Sequence, residues 1–249
     1  MTGPVNGQPP GTLYGIGVGP GDPELMTLKA HRLIGACPVI AYPAPDTGPS
    51  LAREIAAQAI PANATEIPMI VPMRVDRFPA QDVYEEAAGQ IDTYLKGGKD
   101  VAVLCEGDPF FYGSFMYLFA RLATRHRVEI VPGVSSLGAC AAALAKPLVA
   151  RSDVLTVLPS PLPDDALSAR IDAAEAVAIM KVGRHLPRLR ALIARLGLTD
   201  QAGYVARASM AEQQVTPLAQ APDTAPYFSM ILINKGADPW LSPRPSSSA

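Results

Sequence analysis

Cysteine and histidine are scarce in this chain. Cys37, Cys105 and Cys140 are odd in number and far apart, which excludes a disulfide scaffold and fits reduced thiols. Cys105 and Cys140 fall in apolar runs and read as buried hydrophobes. His31, His126 and His185 stand with no carboxylate at motif spacing, so pattern alone assembles neither a metal cluster nor a Ser-His-Asp set. His126 reads as a surface residue, and His185, beside a strand end, as either structural or part of a site. Charge is also sparse: 18% of residues and a formal net charge of −2 argue against a general nucleic-acid surface, though not against a local basic pocket. No apolar run approaches membrane-spanning length, because SSLGACAAALAKPLVA is interrupted by Lys146 and Pro147. Residues 1–11 lack the charged-then-apolar order of a signal peptide, and no repeat at solenoid spacing occurs. These absences predict a compact cytoplasmic protein.

What is present is material for a core. Apolar residues make up 49% of 249, enough for one large or two modest domains. Strand patterns near 13–18, 38–42, 65–70, 100–105 and 127–131 alternate with helical patterns near 23–36, 49–59, 79–96, 112–124 and 134–145. That alternation predicts a parallel sheet with crossover helices. Residues 147–152 break the series. Strands near 153–158, 175–181, 202–207, 212–217 and 227–233 follow, with helices near 164–173 and 185–196. The last strands have no helix between them, which predicts antiparallel pairs and a mixed sheet. The expected organisation is a flexible stretch 1–11, α/β domains 12–147 and 152–236, and a Pro- and Ser-rich disordered tail 237–249 that Trp240 could pin to the body.

Three strand ends carry unusual turn chemistry. GVGPGDPELMTLKA (17–30) sets Gly17, Gly19, Pro20 and Gly21 after an apolar strand, with Asp22 as a helix cap and Pro23 at the first helical position. Neither the Gly15 nor the Gly17 register completes G-x-G-x-x-G, and no G-K-[ST] follows, so this is not a standard nucleotide loop. DVAVLCEGDPFFYGSF (100–115) ends a second strand in Glu106-Gly107-Asp108-Pro109, and VEIVPGVSSLG (128–138) runs a third into Pro132-Gly133 and two serines. Three such loops in order predict a ligand edge at the carboxyl ends of a parallel sheet.

These motifs, G-x-G-P-G-D-P-x-L-x-T-x-x-A, G-D-P-x-x-Y-G and V-P-G-V-S-S, resemble the tetrapyrrole methyltransferase family over roughly residues 12–236. The resemblance implies two α/β domains with a cleft between them, a homodimer, and S-adenosylmethionine as methyl donor. VIAYPAPDTGPSLA (39–52), CEGDPFFYGSFMYL (105–118) and KVGRH (181–185) are most similar to members that methylate precorrin-2 at C-20, the aerobic step of cobalamin synthesis. The same step on cobalt-factor II is the nearest alternative, with uroporphyrinogen methylation behind it. A methylated RNA or protein, or a non-catalytic donor-binding regulator, would share the donor motifs.

For the donor, the resemblance points to Pro20, Glu106, Gly107, Asp108, Ser135, Ser136 and Met180, with Ala206 and Arg207 at a further strand end. Met180 reads equally as core, Ser135 and Ser136 as helix caps, and Asp108 as the cap of the helix that follows. For the acid-bearing acceptor, Gly19, Gly21, Arg74 and Arg77 are indicated, because arginine forks suit carboxylates and Met73 and Phe78 flank them. Lys29, Arg32, Arg53 and Arg184 are further cations for this role. Asp22 is the candidate catalytic acid, orienting substrate N–H groups or assisting proton loss; capping is an equal account of it. No metal ligand and no general base is identified.

Overall fold

The computed structural model describes residues 9–71 and 78–236, residues 78–80 by backbone alone. The expectations placed on the first eight residues, on Met73, Arg74 and Arg77, and on the tail with Trp240 lie outside the described residues. The chain divides into two compact units, the first ending at Ser136 and the second beginning at Leu137.

The first unit is built on five parallel strands, β1 (Leu13–Gly17), β2 (Val39–Ala44), β3 (Thr65–Ile70), β4 (Val101–Cys105) and β5 (Val128–Val131), in the order β3-β2-β4-β1-β5. Successive strand residues point to opposite faces, so one apolar run feeds two cores. Leu13, Val39, Ala41, Val101 and Val103 pack with Ile91 and Leu95 of α3 (Phe78–Lys96) and with Phe115 and Leu118 of α4 (Phe115–Leu122). Ile16, Ile40, Ala102 and Leu104 pack instead with Ala30 and Ile34 of α1 (Leu28–Ala36) and with Ala52 and Ile55 of α2 (Leu51–Ile55). β4, flanked by β1 and β2, is buried along its whole length.

In the second unit, β6 (Leu155–Pro159), β7 (Ala176–Met180), β8 (Ala202–Ala206), β9 (Gln214–Pro217) and β10 (Ser229–Asn234) form a sheet of order β6-β7-β10-β8-β9. Only β6 and β7 run parallel; β10 is antiparallel to β7 and β8, and β9 to β8, so the mixed sheet is as expected. Its core joins Val177, Ile179, Tyr204 and Ile231 to Leu167 and Ile171 of α6 (Asp164–Ala173) and Leu189 and Leu192 of α7 (Leu186–Arg195). Gly203 lets Leu144, at the end of α5 (Ser136–Leu144), approach the sheet, since a Cβ there would lie 2.5 Å from its Cδ2.

The helix expected over 23–36 is broken. Pro23–Leu25 makes a 3-10 turn, Met26 is extended, and α1 restarts because the Thr27 hydroxyl accepts from the Ala30 N–H at 3.1 Å. α4 begins at Phe115 and not near 112, since Tyr112 sits at φ 56°, outside the helical region.

Candidate functional site

β4, β1 and β5 are neighbours, so the loops that leave their carboxyl ends meet. The meeting is backbone on backbone. A Cβ on Gly17 would fall 2.5 Å from the Gly107 carbonyl oxygen and 2.6 Å from the Gly133 nitrogen; one on Gly133 would fall 2.0 Å from the Gly107 oxygen. Gly19 and Gly107, at φ 87° and 65°, exchange hydrogen bonds: the Gly107 N–H donates to the Gly19 carbonyl at 2.7 Å and the Gly19 N–H to that of Gly107 at 3.3 Å. Only glycine permits this approach and these left-handed conformations without strain.

Asp108 braces the junction. One carboxylate oxygen accepts from the Gly133 N–H at 3.1 Å and the other from the Phe110 N–H at 2.9 Å. It therefore caps its own turn and ties the second loop to the third, and is not the cap of α4, whose N-cap position is Ser114. Beside it, burial pushes the Glu106 carboxyl above the ordinary carboxylate range, against backbone N–H groups of Glu106 itself and Ala52. Pro20, Gly21 and Asp22 are half-buried along the first loop, and the Asp22 carboxylate accepts from the Glu24 N–H at 2.8 Å, so capping occupies one of its oxygens. Ser135 is half-buried on the third loop, and Ser136 opens α5.

In the second unit, Met180 and Ala206 are the last residues of β7 and β8, the two neighbours of β10, paired with Met230 and Ser229 respectively. Met180 is buried with 8% of its surface open, and Arg207 is exposed at φ 51°. The local pattern marks Lys181, at φ 57°, only as the first residue of KVGRH, and does not mark the exposed pair Tyr227 and Phe228 just before β10, whose one sequence signal is adjacency to a strand end. Burial, then the Arg188 and Arg184 cations, lower the His185 pKa and favour its neutral form.

Several cations considered for an acidic acceptor already have partners. Arg53 grips Glu66 in a two-point fork, 2.8 and 2.9 Å, and Tyr42 donates to the same carboxylate at 2.7 Å. Lys29 pairs with Glu129 at 2.6 Å. His126 is corrected from surface to interior: its side chain is 3% exposed, with Nε2 2.7 Å from the Asp92 carboxylate, a pairing 34 residues apart that no local spacing reveals. The three cysteines are buried, and burial pushes the Cys105 and Cys140 thiols up to about 12, as expected of inert core residues.

The sequence pattern of the tetrapyrrole (corrin/porphyrin) methylases matches residues 12–222. The chain is 43% identical over 235 residues to the cobalamin biosynthesis protein CobIJ of Mycobacterium tuberculosis, covering 91% of this chain and 46% of that protein; it thus spans about half the length of that relative. It is 40% identical over 238 residues to a precorrin-2 C(20)-methyltransferase of Sinorhizobium sp, covering 92% and 97%. It is 31% identical over 230 residues to the cobalt-precorrin-2 C(20)-methyltransferase of Salmonella typhimurium, covering 90% and 97%. In fold it is similar to the crystallised cobalt precorrin-4 methyltransferase CbiF, with a TM-score of 0.67 at 24% identity over 90% of this chain and 94% of that one. It is likewise similar to a uroporphyrin-III C-methyltransferase of Thermus thermophilus crystallised with S-adenosylhomocysteine, TM-score 0.66 at 23% identity over 90% and 98%. The chain belongs to the tetrapyrrole (corrin/porphyrin) methylases.

Proposed function

We propose that this chain transfers the methyl group of S-adenosylmethionine to C-20 of precorrin-2, giving precorrin-3A in cobalamin biosynthesis. The observation that carries the reading is the 40% identity, across 97% of its length, to a relative named for that reaction. The glycine junction supports a donor that must lie against bare backbone, because a Cβ added at Gly107 meets nothing closer than the Val134 carbonyl at 4.0 Å and points into open space.

The donor brings a methyl on an already activated sulfonium, so the protein's part is alignment and exclusion of water. Backbone groups of Pro20, Glu106 and Gly107 contact the donor in this reading, with the Ser135 and Ser136 hydroxyls on its polar parts. Asp108 acts as a positioning residue, since both its oxygens hold neighbouring N–H groups. Met180 offers a soft apolar surface for adenine, with Ala206 and Arg207 nearby on the same sheet edge. Gly19, Gly21, Arg74 and Arg77 are assigned to the acceptor, and the Asp22 carboxylate to orienting a substrate N–H or assisting proton loss. A cytoplasmic location and a homodimer complete the reading.

The second reading is the same methylation on the cobalt-containing acceptor, supported by the 31% identity to the Salmonella protein. An anaerobic assay with radiolabelled donor, offering metal-free precorrin-2 and cobalt-factor II side by side, tests both. Label at C-20 of precorrin-2 is expected. Label in the cobalt acceptor alone would shift the route, and no transfer to either would overturn the proposal.

A further inference from the structure

At one end of the second sheet, residues that carry a Cβ adopt left-handed backbone beside exposed aromatic side chains. Lys181 and Arg207 follow the last residues of β7 and β8, both in the left-handed region at φ 57° and 51°, and Ser209 follows at 63°. Such conformations are uncommon for residues with a Cβ and cluster where function holds the backbone. The two cations flank the entry to β10: Val182 N–H donates to the Ser229 carbonyl and Arg207 N–H to that of Phe228 at 2.8 Å. Two strand spacings separate β7 from β8, so the backbones carrying the charges stand about 10 Å apart.

Between their two strands the chain enters β10 through two aromatic residues. Tyr227 and Phe228 are 44% and 43% exposed and meet edge to face at 5.2 Å, and the Lys181 ammonium lies 5.7 Å from the Tyr227 ring centroid. The arrangement is braced from below. Ser229 Oγ accepts from the Gly183 N–H at 3.2 Å and donates to the Pro226 carbonyl at 2.6 Å, and Ser160 Oγ donates to the Lys181 carbonyl at 2.6 Å. Buried serines thus hold in place a surface of two cations and two ring faces.

We infer that Lys181 and Arg207 are specificity-determining residues that receive two carboxylates of a flat polycarboxylate acceptor, with Tyr227 and Phe228 offering ring faces to its macrocycle. The inference rests on the tetrapyrrole reading above, adds Lys181 to the residues that recognise the acceptor's acids, and moves the Arg207 side chain from the donor, where that reading sets it, to the acceptor. A planar guanidinium and an ammonium beside aromatic surface give an acid-fringed ring two charge-assisted partners, whereas the donor carries a single carboxylate.

The test uses the full chain and a stable probe, uroporphyrin as its octacarboxylic acid, read by fluorescence quenching against its octamethyl ester. Wild-type protein should bind the acid and not the ester, with affinity falling as salt rises. Lys181→Gln with Arg207→Gln should weaken the acid roughly tenfold or more, because charge-assisted hydrogen bonds are lost. Lys181→Arg with Arg207→Lys should keep most of it. In Lys181→Gln alone, at a residue given no donor role, the acid should weaken while S-adenosylhomocysteine affinity by calorimetry stays within about twofold. Unchanged acid binding in the double glutamine variant, equal wild-type affinity for acid and ester, or parallel loss of the donor analogue in Lys181→Gln would overturn the inference. Charge-dependent acid binding without methyl transfer to any tetrapyrrole would support it while overturning the C-20 reading.

Discussion

Gly107 and Gly133 touch each other, yet they hold different kinds of constraint. At Gly133 the limit is space, with the Gly107 carbonyl 2.0 Å from an added Cβ, so the loops must separate to admit even alanine. At Gly107 the limit is conformation, φ 65° with open space beyond. Gly133→Ala is therefore expected to destabilise the protein by about 3 kcal/mol. Gly107→Ala should cost only about 1–2 kcal/mol, the usual penalty of left-handed backbone. Urea unfolding measures both. Gly107→Ala should still weaken S-adenosylhomocysteine about tenfold or more in calorimetry, as a methyl placed on a contact surface would. Full donor affinity in that variant would remove the second loop from the site.

At the scale of elements, α3 is tied to the turn before β5 through one carboxylate. Asp92 pairs with Lys96 at 2.6 Å, Arg125 at 3.2 Å and the buried His126 at 2.7 Å. Burial alone would raise its pKa, but the bonds from Lys96 and His126 prevail and hold the carboxyl below its ordinary range. A carboxyl lowered in the folded state stabilises above its unfolded pKa, about 3.9, and loses that contribution as pH falls through the folded value. Asp92→Asn should cost about 1.5–3 kcal/mol near neutrality and flatten the decline in stability between about pH 5 and pH 2. Urea midpoints across that range decide it, and an unchanged acid limb would assign the pH dependence to other carboxylates, Glu66 with its Arg53 fork first among them. The cap that restarts α1 makes a simpler case: Thr27→Ala should cost about 1 kcal/mol in the same experiment.

Over the whole molecule, each unit carries its own sheet and its own buried clusters, and among the described residues no helix is long and apolar enough to cross a membrane. The homodimer implied by the family resemblance predicts a light-scattering mass of twice the chain's 26.2 kDa. A mass of one chain across micromolar concentrations would reject it.

The order of strands and helices was legible in the chain because apolar alternation, glycine and proline are local signals. β1, β3, β4 and β5 lie within a residue or two of their expected bounds, and the antiparallel end of the second sheet follows from consecutive strands with no helix between them. The three glycine loops, and with them the family, were equally plain, since close backbone approach demands a residue without a side chain. What a carboxylate or cation does was not legible. Asp108 reads as a helix cap until Gly133 is found beside it, His126 reads as surface until Asp92 closes over it, and Arg53 reads as a free cation until Glu66 takes it. Arg207 reads as a donor-side residue and Lys181 only as the start of KVGRH until β7 and β8 are seen to flank β10, which Tyr227 and Phe228 precede. Periodicity and turn chemistry act between near neighbours and are written in sequence. The partner of a charge is chosen by which strands lie side by side, and only the tertiary structure decides that.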